Sequence, residues 1–335
     1  MDDLERRIRE ANPNGVDRST PLSARAEADL VTLLATPAVP AITVSAVAVR
    51  RRPRLAISLL SGMVAALVIG VVIVTGALIP EPPASAAGLP LLGETPVDGT
   101  VDEVIDRMIM SARKSSEEDA TGTRRTAYEA WSASILVGEE KSVDVFVQPV
   151  EVERAWSADL SGRIVTRAGA VVMGALPRGE PSYEPGDVID DSSFAPGEYP
   201  LLFPEAPPAT GEALRAYLAG VFGLTEATTT GEWFSAIGDL RTDWPLSSKQ
   251  NLAVLELVKT LPGVTATSVT DRIGRHGIAL QTESRADGGF RDLLIFDSRT
   301  GVLNSAESVY LGGLTDIDLP AMTVLNYTAW KNPRS

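Results

Sequence analysis

From Leu55 to Ile79 the chain runs 25 residues without a charged side chain, and Ser58, Ser61 and Thr75 are the polar interruptions of an otherwise apolar run. A helix of that length reaches roughly 37 Å at about 1.5 Å per residue, more than the ~30 Å hydrocarbon core of a bilayer. A core helix of a soluble domain carries a polar stripe, and this run has none. Pro80, Pro82 and Pro83 stop it at its far end. The expectation is one transmembrane helix over residues 55–79, with the lipid bilayer as its partner.

Ala84-Ser85-Ala86, followed by Ala87, has the small-residue pattern of a signal-peptidase site. A signal peptide, however, begins near the N-terminus and has a shorter apolar region. The run is therefore read as an uncleaved signal-anchor. Arg50, Arg51, Arg52 and Arg54 flank its N-terminal side, and Glu81 is the first charge beyond it. The positive-inside rule then puts residues 1–54 in the cytoplasm and the remainder outside the cell membrane. Residues 1–54 hold nine Arg and seven acids, a net +2, which leaves −16 outside out of −14 for the whole chain. Ser58, Gly62, Ala66 and Gly70 recur every four residues and form a candidate helix-dimer face. The same row also fits the ordinary abundance of small residues in membrane helices.

The cytoplasmic piece has one amphipathic candidate. Ser19 or Thr20 caps it, Pro21 suits its first position, and Leu22, Ala26, Leu30, Val31, Leu33 and Leu34 give it an apolar side. Residues 19–35 are thus a candidate docking helix for a cytoplasmic protein; the competing reading is a partly disordered tail. Residues 80–100, rich in Pro, Gly and Ala, read as a linker.

Residues 101–335 read as one external α+β domain. Thr100 and Glu103 form a capping box before Val101, Val104, Ile105, Met108, Ile109 and Ala112, so a helix is expected over 101–118. From 126 the period becomes two, which predicts an antiparallel sheet with packed helices. Residues 174–212 lose periodicity. Helical spacing returns over 211–224, 232–241 and 247–261. Four strands follow from 264 to 311, and AMTVLNYTAW is expected as a further edge strand.

The chemistry is sparse. Cysteine is absent and His276 is the lone histidine, which removes thiolate sites, disulfides and multi-histidine metal centres. Dispersed basic residues in an acidic chain argue against nucleic-acid binding. His276 reads as an exposed turn residue, and Asp187, Asp190 and Asp191 as a solvated charge run without calcium-ligand spacing. Trp131, Phe146 and Trp156 fall on strands and read as core. No catalytic, cofactor-binding or metal residue is assigned. Leu201, Leu202 and Phe203 stand out in the Pro-rich segment. They either line a cleft for an apolar ligand or pin a loop to the core.

LPGV (261–264), DRIGRHG (271–277) and LLIFDSRTGVL (293–303) together resemble an uncharacterised family of actinobacterial single-pass membrane-anchored proteins. The likeness implies a short cytoplasmic segment, one span and an external domain closing in a β-meander. At fold level the external part is also similar to lipoprotein-carrier and sigma-regulator sensor domains. The function expected is a non-enzymatic membrane-anchored sensor or binding module, linked to signalling or envelope regulation. The alternative is a cell-envelope hydrolase or lipid-handling enzyme.

Overall fold

The computed structural model describes residues 89–114, 124–137, 143–174, 181–285, 289–313 and 319–331. The chain divides into two units, Met1–Pro53 and Arg54–Ser335, and every described residue belongs to the second. The span over 55–79, its row Ser58, Gly62, Ala66 and Gly70, the cytoplasmic segment and Ala84-Ser85-Ala86 lie outside the described residues. Among the described residues no helix is long and apolar enough to cross a membrane.

The architecture is α+β. The elements run β1 (Glu94–Pro96), α1 (Val101–Lys114), β2 (Arg124–Ser132), β3 (Ser134–Val137), β4 (Val143–Phe146), β5 (Val150–Trp156), β6 (Gly162–Ala168) and β7 (Val188–Phe194). Then come α2 (Gly211–Phe222), α3 (Thr230–Asp243), α4 (Ser248–Lys259), β8 (Thr265–Thr270), β9 (His276–Thr282), β10 (Phe290–Phe296), β11 (Leu303–Tyr310) and β12 (Thr323–Lys331). Ten strands form one antiparallel sheet in the order β1-β8-β9-β10-β11-β12-β2-β5-β6-β7, and β3 pairs with β4 separately.

Local chemistry accounts for the helix ends. Glu103 accepts from the Thr100 N–H at 2.8 Å while the Thr100 hydroxyl accepts from the Glu103 N–H at 3.3 Å, the capping box read from the sequence. Ser247 and Gln250 repeat that arrangement at the start of α4. Gly223 ends α2 at φ 68°, a left-handed cap.

Two strands differ from the expectation. AMTVLNYTAW is not an edge: β12 lies between β11 and β2 and joins the earlier and later strands into a single sheet. Val324, Tyr327, Ala329 and Trp330 along it are all buried, so both faces are covered, and an apolar run without strict alternation is what such a strand presents. Second, the aperiodic 174–212 segment contains strand β7. Val188–Phe194 pairs with β6 at the margin of the sheet, where no core dictates a hydrophobic alternation.

Helices cover one sheet face. Val104, Ile105 and Met108 of α1 join Leu214, Ile237, Leu240, Val254, Leu257, Leu294, Phe296 and Trp330 in one core. The other face carries a second core of Trp131, Ile295, Val309, Val324 and Tyr327, with Leu89 and Leu92 packed against it. Arg272 donates to Glu307 through Nε at 2.6 Å and Nη2 at 2.9 Å, and through Nη1 to the Pro90 carbonyl at 3.2 Å. Gln281 Nε2 donates to Glu94 at 3.1 Å, and β1 pairs with β8. The end of the stretch read as a linker is therefore stitched into the domain from residue 89.

A chain beginning at Leu89 is expected to unfold in one cooperative transition followed by circular dichroism. One beginning at Val101 loses β1, the Pro90 and Glu94 bonds and two packed leucines. It should be less stable by roughly 2–4 kcal/mol. Equal melting temperatures would show that residues 89–100 contribute nothing to the fold.

Candidate functional site

The alternation of VEVERAW puts Arg154 on the inward face of β5 with Val152 and Trp156, a charged side chain in an apolar row. Such a group needs partners for each donor. Arg154 Nη1 meets Asp243 Oδ1 at 2.7 Å and the Thr242 carbonyl at 3.2 Å. Its Nε donates to the Tyr199 hydroxyl at 3.2 Å, and Nη2 to the Pro200 carbonyl at 3.3 Å. Asp243 Oδ2 accepts the N–H groups of Leu202 at 2.7 Å and Phe203 at 3.2 Å. One buried ion pair thus joins β5, the end of α3 and residues 199–203.

Aromatic packing completes the join. Tyr199 stacks on Trp156 at 5.4 Å, and Trp244 meets Trp156 edge-on at 5.9 Å. Gly162 makes this possible, because a Cβ there would collide with the Tyr199 ring and the Ala155 carbonyl. Phe203 is fully buried, 5.8 Å from the Tyr217 ring and 5.6 Å from that of Phe222, and its carbonyl accepts the Trp244 indole N–H at 2.8 Å.

Burial works hardest against the Arg154 charge, and Asp243, Tyr199 and Tyr128 together outweigh it, so the guanidinium is held above its ordinary value. Burial raises the phenols of Tyr128 and Tyr199. Asp239 lies one turn before Asp243 on α3. Burial, then the Asp243 charge, pushes its carboxyl up to about 8. Arg241, buried on the same helix, is lowered to about 10 by burial and then by Arg275; it donates to the carbonyls of Leu303 and Trp244.

The structure separates the residues singled out from the sequence. Phe203 is core, while Leu201 and Leu202 are half-buried and pack against it. The segment is pinned by the bonds to Asp243 and Arg154. His276 is exposed, its Nδ1 2.8 Å from the Thr270 hydroxyl. Asp191 pairs with Arg163, whereas Asp190 accepts the Ser192 hydroxyl. Among the described residues no group of three or more His, Cys, Asp or Glu side chains is placed to hold a metal ion. Trp131, Phe146 and Trp156 are buried, as expected. The sequence reading missed Arg154, Asp239, Asp243 and Tyr199; an arginine alternating with Val152 and Trp156 was the signal available.

The DRIGRHG and LLIFDSRTGVL motifs form turns. Asp271 accepts from the Ile273 and Arg275 N–H groups and from Arg275 Nε, and Arg275 reaches the carbonyls of Trp330 and Asn304. Asp297 caps the next turn through the Arg299 and Thr300 N–H groups. No protein-family model matches the chain, and no curated protein matches it.

Asp243→Asn is expected to cost about 3–5 kcal/mol in urea denaturation, because it strands a buried guanidinium. Arg154→Met combined with Asp243→Leu should cost less than the two single changes added together; strict additivity would show that the pair is not coupled.

Folded Asp239 keeps its proton above the ordinary 3.8, where the unfolded chain has released it. The folded state then binds more protons, so stability falls as pH rises from 3.8 to about 8, by at most about 1.4 kcal/mol per unit. Asp239→Asn should flatten that slope in melting curves across the window. An unchanged slope would assign it to another group.

Proposed function

We propose that the chain is a non-enzymatic, membrane-anchored external binding module that serves signalling or envelope regulation. The observation that carries this reading is the open edge of the sheet at β7. It is a seven-residue strand, exposed along most of its length, with no strand beyond it among the described residues. Unpaired strand edges recruit extended segments of other chains. Two buried charged pairs, Arg154–Asp243 and Arg272–Glu307, tie distant parts of the fold together.

In this reading Leu55–Ile79 is the single span, residues 1–54 are cytoplasmic and the described domain is outside. Residues 19–35 offer a docking helix inside. The row Ser58, Gly62, Ala66 and Gly70 offers a dimer face within the bilayer. Resemblance to the actinobacterial anchored family accords with that layout. An apolar ligand at Leu201 and Leu202 belongs to the same class of function, with Phe203 as the buried floor.

A reporter active only outside the membrane, fused after Ser335, is expected to be active in cells, with the full-length chain in the membrane fraction. Activity of a cytoplasmic reporter instead would invert the topology and sink the anchored-external reading. A soluble product beginning near Ala87 would replace the anchor by a cleaved signal.

A further inference from the structure

The two edges of the sheet differ. At one, β1 is three residues long and ends in Pro96, a short, proline-closed edge of the kind that resists further pairing. At the other, β7 is seven residues long. Its register with β6 is regular from Asp190↔Thr166 to Phe194↔Gly162. The Ala168 N–H is directed to Asp187 beside β7. By the alternation of an antiparallel strand, Thr166, Ile164 and Gly162 also turn their peptide groups toward β7. Asp190, Ser192 and Phe194 answer them, so Asp191 and Ser193 turn N–H and C=O to the open side.

The side chains along this edge select the occupant. Asp187, Asp190 and Asp191 fall within five residues, and among the described residues only Asp191 has an ion pair, with Arg163. Asp187 caps the Glu184 N–H, and Asp190 accepts the Ser192 hydroxyl; neither contact neutralises a charge. Beside them Val188 is 53% exposed and Ile189 37%. A second copy of VIDDSSF added in either direction would bring these acids against each other, and like charges directly across a ladder are unfavourable. An extended segment alternating Lys or Arg with β-branched residues meets both features. Its cations face Asp187 and Asp190, and its apolar side chains cover Val188 and Ile189.

We propose that β7 is a strand-addition site for a basic, extended segment of another polypeptide. This deepens the binding-module reading and rests on it for its biological setting, but the physical claim concerns β7 alone.

The test uses the full chain in detergent micelles. The probes are a synthetic alternating Lys-Val peptide, the same peptide with Glu for Lys, and a Lys-Val peptide N-methylated on alternate backbone nitrogens. The Lys-Val peptide is expected to bind saturably and to weaken with added salt. The Glu peptide should not bind. One of the two N-methylation registers should lose affinity about tenfold or more, since it removes the donors that reach Asp191 and Ser193. Ser193→Pro deletes an outward N–H, which an edge strand tolerates, and should weaken binding while the melting temperature holds. Asp187→Lys with Asp190→Lys should exchange the preference from the Lys to the Glu peptide.

Binding that follows charge but ignores both N-methylation and Ser193→Pro would overturn strand addition in favour of plain electrostatic attraction. Absence of saturable binding, or no exchange on charge reversal, would also overturn it. An inverted reporter topology would remove the external setting and leave these peptide results intact, so the two readings fail separately.

Discussion

The fold turns on a charge almost wholly removed from water. Arg154 lies inside because β5 alternates, and once inside it must be answered donor by donor. The answers come from two separated stretches of chain: Asp243 with the Thr242 carbonyl, and Tyr199 with the Pro200 carbonyl. Asp243 stands at the C-terminus of α3, where a carboxylate opposes the helix dipole; the guanidinium offsets both the carboxylate and the carbonyl end. The second oxygen of Asp243 then fixes Leu202 and Phe203. An apolar stretch that the sequence left as either a ligand cleft or a pinned loop is thereby tied to the core. Its half-buried leucines are the only portion of it left to meet anything else.

A similar logic governs the second face of the sheet. Glu307 is buried on β11, where burial raises its carboxyl and Arg272 works to lower it. The guanidinium that pairs with it lies over the rings of Trp131 and Tyr327 and reaches the Pro90 carbonyl. Residues 89–100 therefore do not hang free ahead of α1. They are bound to the sheet by the β1–β8 pairing, by Gln281 on Glu94, and by one cation that also satisfies a buried acid.

Much of this was legible. Helices α1 to α4 announce themselves by apolar spacing, and α1 also by its capping box. The meander β8 to β11 is marked by its turns, where Asp271 and Asp297 bond to the backbone and Gly301 comes close to Ala112 of α1. Less legible were the elements buried on both sides or on neither. The central place of β12 was hidden because both its faces are covered, and β7 has no core to impose a period. Nor did the one-dimensional pattern pair Arg154 with Asp243, 89 residues apart. That pairing follows only once α3 is laid across β2 and β10.

The tether and the open edge stand at opposite ends of the strand order. Chain from the proposed membrane side enters at β1, and β7 is nine strands further on. At about 4.8 Å per strand that is roughly 43 Å along the sheet. In the proposed anchored layout the linker and the bilayer hinder an edge beside the tether, so a short strand ending in proline loses nothing there. The far edge has no such cover and must be protected against its own kind by other means. Acids on β7 do this without closing the edge, since they repel a second acidic copy and leave the peptide groups of Asp191 and Ser193 available. One physical device thus serves two ends: it keeps copies of the domain apart and sets the charge of the chain admitted in their place.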